Sequence, residues 1–118
     1  MQAFTLAELL DQQARSSELY LEFLRVPSLS VGLYALPAGA DDPQQPHTED
    51  EVYYVVSGKG MLLVGDEDVQ AVPGSVLYVP AAIPHRFHSV VEDLRLLVFF
   101  APAEGTAESL VLRAGNAG

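Results

Sequence analysis

The sequence predicts an all-β fold, a small jelly-roll barrel preceded by one short helix. Three observations carry that expectation. Apolar runs of about four to eight residues, rich in Val, Leu, Tyr and Phe, recur from residue 19 to residue 100. Gly, Pro, Asp and Ser separate the runs at intervals of about 8–12 residues, the rhythm of sandwiches and barrels. Only one stretch carries a helical period, and at 118 residues the chain has room for one core and no second domain.

The helix is expected over residues 4–15, FTLAELLDQQAR. Thr5 and Glu8 form a capping box, and Leu6, Leu9 and Leu10 fall at helical spacing. LYLEFLRV (19–26) is a strand with Leu19, Leu21 and Phe23 on one side, and Pro27 ends it because proline cannot donate to a ladder. LSVGLYAL (29–36) is the next strand, and a Pro-, Gly- and Asp-rich loop follows at 37–46. EVYYVV (51–56) is the third strand. Ser57-Gly58-Lys59-Gly60 is then expected to reverse the chain into MLLV (61–64), and Gly65 to Asp68 is a second hairpin signal. VQAV (69–72) and SVLYV (75–79) flank Pro73-Gly74. A short connection, PAAIPH (80–85), enters RFHSVV (86–91), and Glu92-Asp93 is expected to turn the chain into LRLLVFF (94–100). That makes eight to ten short strands. The chain divides into a helical segment (1–18), a barrel (19–102) and a tail (103–118) that is loose or holds one more strand at SLVLR, 109–113.

Composition removes several functions. With no cysteine, the chain has no disulfide, thiolate metal site, iron–sulfur cluster or Cys nucleophile. The net charge of −10, with six Lys and Arg, is wrong for nucleic acid and for anionic membrane surfaces. No run approaches the ~20 apolar residues of a membrane span. Residues 1–10 lack the basic start and long apolar stretch of a signal peptide, so a cytoplasmic location is expected. Small molecules, cations and protein partners remain.

The strand at 51–56 is apolar on both faces apart from Glu51. Glu51, Tyr53 and Val55 share one face, Val52, Tyr54 and Val56 the other, and LRLLVFF has the same two-sided character. A domain this small has little material to cover both faces, so a homodimer is expected.

The chemistry gathers around Glu51. A buried carboxylate on an apolar strand needs a partner. His47 shares its face at period 2. Imidazole and carboxylate together suit Fe, Mn, Zn, Ni or Cu. Pro80 and Pro84 stiffen the approach to His85, and two His with one Glu make a facial triad of the kind non-haem iron oxygenases use. Glu49 shares the parity of His47 and Glu51, as an outer partner, a substitute ligand or part of a solvated loop, while Asp50 faces solvent. If the strand alternates regularly from His85, Phe87 and Ser89 point inward, and Arg86 and His88 outward. Tyr53, Phe87 and Phe99, with Tyr34 or Leu33, line the substrate pocket or pack the core.

These two segments resemble the two motifs of the cupin superfamily, whose fold is a double-stranded β-helix. His47 matches the second histidine of the first motif, Glu51 follows after three residues and Gly58 after six more. In the second motif, Gly74 is followed by five residues, Pro80-Ala81-Ala82, Ile83-Pro84 and His85, with Ser89 where Asn is usual. The match spans residues 29–100. The chain departs from the pattern twice: Gln45 replaces the first histidine, and Ala82 replaces a glycine. The resemblance implies a divalent transition metal held by His47, Glu51 and His85, with Gln45 a weaker ligand or a hydrogen-bonding pocket residue. It implies a small organic substrate and dioxygenase- or isomerase-like chemistry. A non-catalytic binding or sensing protein with a degenerate metal site is the alternative.

Overall fold

The computed structural model describes residues 1–43 and 46–106. Helix α1 spans Leu6–Arg15. Six strands follow: β1 (Tyr20–Val26), β2 (Leu29–Leu36), β3 (Asp50–Val64), β4 (Glu67–Ala71), β5 (Val76–Val79) and β6 (His85–Ala101). All pairings are antiparallel, in the order β1-β2-β6-β3-β4, with β5 on the free edge of the first half of β3. The result is the expected β-barrel, a double-stranded β-helix with one short N-terminal helix. The 109–113 segment lies outside the described residues.

Local chemistry explains the helix and its seat. The Thr5 side chain accepts from the Glu8 N–H, as an N-cap does. The α1 residues Leu9 and Gln13 are buried, and Gln13 Nε2 donates to both the Leu19 and Leu33 carbonyls at 2.9 Å. That fastens the helix beside β2, next to the buried Val31 and Leu33.

Two expected turns are not turns, so six strands replace the expected eight to ten. β3 runs unbroken through residues 57–60, and β6 through Glu92-Asp93. The two strands pair along almost their whole length, and the register shifts between Val55 and Met61. Gly58 sits there at φ +96, and a Cβ on it would lie 2.1 Å from the Asp93 carbonyl oxygen. A left-handed glycine opposite a close backbone makes a bulge that bends a strand without reversing it. The bend also flips the alternation. Inward residues are odd in the first half of β3 (Glu51, Tyr53, Val55) and even in the second (Gly60, Leu62). In β6, His85 and Phe87 point in, then Val90, Leu94, Leu96, Val98 and Phe100. Ser89, at φ +49, stands at the change.

The core is the barrel interior: Tyr53, Val55, Leu62, Phe87, Leu94, Leu96, Val98 and Phe100 are all at most 2% exposed. Within the chain the outer face of β3 is left partly open. Tyr54 is 40% exposed, and its β5 neighbours Val76 and Tyr78 are 68% and 59% exposed.

Candidate metal centre

Three elements converge at one end of the barrel. Glu51 begins β3, between Phe100 of β6 and Val79 of β5, and points inward. His85 begins β6 after the Pro80–Pro84 connection. His47 ends the loop after β2, and two ties hold it there. Asp42 accepts from the Tyr34 hydroxyl at 2.7 Å and from the Phe87 N–H at 2.8 Å. The Ala82 N–H donates to the His47 carbonyl at 2.6 Å, with Ala82 at φ +64, a conformation glycine adopts more cheaply.

One donor atom from each of His47, Glu51 and His85 lies within 4.8 Å of the others. The His85 ring is oriented. Its Nδ1 is 3.0 Å from the Ile83 carbonyl, which can only accept, so Nδ1 carries the proton. That turns the Nε2 lone pair toward Glu51 Oε1 at 3.1 Å and the Tyr53 hydroxyl at 3.2 Å. The Tyr53 O–H donates to Nε2; a carboxylate cannot. Glu51 is 1% exposed, and neither carboxylate oxygen completes a hydrogen bond among the described residues. The 3.1 Å approach is therefore a charge contact that needs a proton or a cation between the two groups. Burial pushes the His85 pKa down, and Glu51, the Ile83 carbonyl and Asp42 outweigh it, so the pKa is raised.

This donor set fits a divalent transition metal: two imidazoles, one carboxylate with orphaned oxygens, and one imidazole whose second nitrogen is already tied to a carbonyl. It also leaves coordination positions for a small ligand.

A cavity of about 260 Å³ adjoins the site, lined by Tyr20, Tyr34, His47, Val98, Phe100 and Glu104. Tyr20 lies across Gly32, where a Cβ would come within 2.2 Å of the ring. The His47 ring meets Phe100 edge-on at a centroid distance of 4.8 Å. A larger groove of about 920 Å³ lies between the β3–β4 hairpin and β5, and none of the three donors borders it.

Tyr53 and Phe87 are buried beside His85, with rings 4.9 Å apart. Phe99 pairs with Val52 on the outer face of β6, and Phe100 takes the inward position. Tyr34 lines the cavity, while Leu33 is fully buried and its carbonyl accepts from Gln13. Gln45 lies outside the described residues. Asp50 is exposed, accepting from the Tyr78 hydroxyl and the Ala81 N–H. His88 is turned away from the site, with Nε2 2.8 Å from Asp68. Glu49 is neither solvated nor at the metal position; it is 2% exposed and accepts from the Gly105 N–H at 2.9 Å.

Glu104 had no signal in the sequence. Its carboxylate stands 3.6 Å from His47 Nδ1. Burial raises its pKa, His47 lowers it, and Glu22, Glu51 and Glu49 raise it further.

A family model described as a cupin domain matches residues 32–100. An uncharacterized protein of Streptomyces coelicolor is 54% identical over 104 residues, covering 88% of this chain and 99% of its own length. The crystal structure of TT1209 from Thermus thermophilus is similar at a TM-score of 0.71 and 29% identity, covering 87% of this chain and 99% of that one. The DMSP lyase DddQ from Ruegeria pomeroyi is similar at a TM-score of 0.60 and 25% identity, over 64% of this chain and 39% of that one.

Proposed function

The chain belongs to the cupin family, as the match over residues 32–100 shows, and on that premise we propose that it is a small metalloprotein acting on a small organic substrate. His47, Glu51 and His85 hold a divalent transition metal. The observation that supports this most is the buried Glu51 carboxylate, whose two oxygens lack hydrogen-bond partners among the described residues beside an oriented imidazole. A bound ion supplies Lewis acidity toward a carbonyl or enol oxygen, or a site for O₂.

The chain's own residues do the rest. Glu51 provides negative charge in a dry setting, where electrostatic attraction is strong. Ile83 fixes the His85 tautomer. Tyr53 supplies a hydroxyl at the inner edge. Tyr20, Tyr34, Val98 and Phe100 wall a space near the lower end of the roughly 300–1,000 Å³ common for ligand sites. They exclude water and favour a compact, apolar-bodied substrate. The chemistry we favour is dioxygenase- or isomerase-like. Gln45, where the family motif has histidine, supports a second reading, a binding or sensing protein with a weakened site.

The outer stripe of Val52, Tyr54, Val76, Tyr78, Leu97 and Phe99 supports a homodimer through this face. The charge of −10 supports a protein that avoids nucleic acid and anionic membranes. None of the helices in the described residues is long and apolar enough to cross a membrane, and a cytoplasmic location remains our expectation.

Titrating metal-stripped protein with Fe²⁺, Mn²⁺ and Zn²⁺ under nitrogen tests the site. One equivalent bound by wild type and none by H85A is expected. Equal binding by both sinks the assignment. Screening the loaded protein for turnover then separates the enzyme from the sensor.

A further inference from the structure

The turn after β6 is fastened at four places. Ala103 N–H donates to the Pro27 carbonyl, Glu104 N–H to Ser30 Oγ at 2.9 Å, and Gly105 N–H to the buried Glu49. The Arg25 guanidinium donates to the Glu104 carbonyl. Every one of these contacts grips backbone. None engages the Glu104 carboxylate, which is presented to the cavity and to His47. Glu49 in particular is a buried acid whose partners include the N–H that follows Glu104, an expensive way to hold a surface turn.

Each histidine turns Nδ1 toward an oxygen, His85 within hydrogen-bond range and His47 just beyond it. His85 Nδ1 faces the Ile83 carbonyl at 3.0 Å, and His47 Nδ1 faces Glu104 Oε2 at 3.6 Å. An imidazole that gives one N–H to an oxygen keeps its other nitrogen unprotonated and aimed. For His47 that other nitrogen is Nε2. Glu104 stands outside the three-donor cluster, so it meets His47 without being a fourth donor. We infer that Glu104 is a positioning residue: it fixes the His47 ring with Nε2 free for a cation, and Glu49 holds the turn that carries it. This rests on the metal reading above. The 3.6 Å separation is longer than a hydrogen bond, and the Nδ1–H becomes a stronger donor when Nε2 is engaged, which draws the contact in.

Two readouts test it. In metal-free, ¹⁵N-labelled protein, long-range proton–nitrogen correlation of the imidazoles reports the tautomer. Wild type is expected to show His47 as Nδ1–H, and E104A to lose that preference. In a Co²⁺ titration, E104A is expected to bind about 10–100-fold more weakly than wild type. E104Q, whose amide oxygen still accepts, recovers most of that loss, and the wild-type His47 tautomer tests the role if E104A fails to fold. Wild-type His47 protonated at Nε2, or Co²⁺ affinity unchanged in E104A, overturns the role. A wild type that takes no Co²⁺ overturns the metal reading and the role with it, while the tautomer separately reports whether the contact exists.

Discussion

Replacing Glu51 by methionine is expected to stabilise the metal-free protein and abolish its response to metal. Glu51 is 1% exposed, and its oxygens lack hydrogen bonds among the described residues. A buried polar group left unsatisfied costs about 1–3 kcal/mol, and a charged one more. Methionine has similar length and no polar atom to desolvate. Its neighbour is not stranded. With Glu51 gone, neutral His85 donates from Nδ1 to Ile83 and accepts from Tyr53 at Nε2, so no unpaired charge stays buried. A gain of about 1–3 kcal/mol follows, or roughly 4–12 °C in Tm for a domain of this size. The assay is thermal unfolding at pH 8, first with chelator, then with Zn²⁺ at 100 times its Kd. Wild type should gain about 2.7 kcal/mol from the ion, and E51M nothing. A metal-free E51M less stable than wild type, or an equal gain from Zn²⁺, refutes the reasoning.

Other expectations are as direct. H47A and H85A should lose metal yet keep the wild-type far-ultraviolet circular dichroism, because the barrel is held by β3, β6 and the core; loss of the sheet signal would make these histidines structural. G58A should cost about 2–4 kcal/mol, since φ is +96 and the new Cβ meets the Asp93 carbonyl at 2.1 Å, whereas A82G should gain about 1 kcal/mol by relaxing φ +64; urea midpoints with equal slopes would check both. The pH dependence reverses with metal. The raised His85 pKa stabilises the metal-free fold fully below the unfolded histidine value of about 6.5, and that contribution fades as pH rises through the folded value. Metal affinity instead falls on acidification over the same range, because the proton competes for Nε2. Urea midpoints and Zn²⁺ affinities from pH 5.5 to 9 should slope in opposite directions, and parallel slopes would remove His85 from the site.

Local chemistry was legible in the sequence. Thr5 and Glu8 mark the helix start, Pro27 closes β1, and Gly65-Asp66 turns β3 into β4, each through neighbours along the chain. The spacing of His47, Glu51 and His85 was legible too, because the motif fixes where the loop, β3 and β6 begin. What failed shares one cause. Gly58 and the Glu92-Asp93 pair carry turn chemistry, but a left-handed residue serves a bulge as well as a reversal, and only pairing with a distant strand decides. Phe99 was placed inside with no register to fix it, and the bend near Ser89 sets Val90, Leu94, Leu96, Val98 and Phe100 inward instead. Glu104 and the partner of Glu49 were beyond reach for a different reason. In each pair, Glu104 with His47 and Glu49 with Gly105, the two residues lie more than 50 residues apart, and no period or spacing connects them.

The most direct test is elemental mass spectrometry on untagged protein purified without chelators, wild type beside H85A. Near-stoichiometric iron, manganese, nickel, copper or zinc in wild type, and little in the variant, is the expected result. No metal in wild type even after reconstitution, or equal metal in both proteins, would contradict the site built from His47, Glu51 and His85.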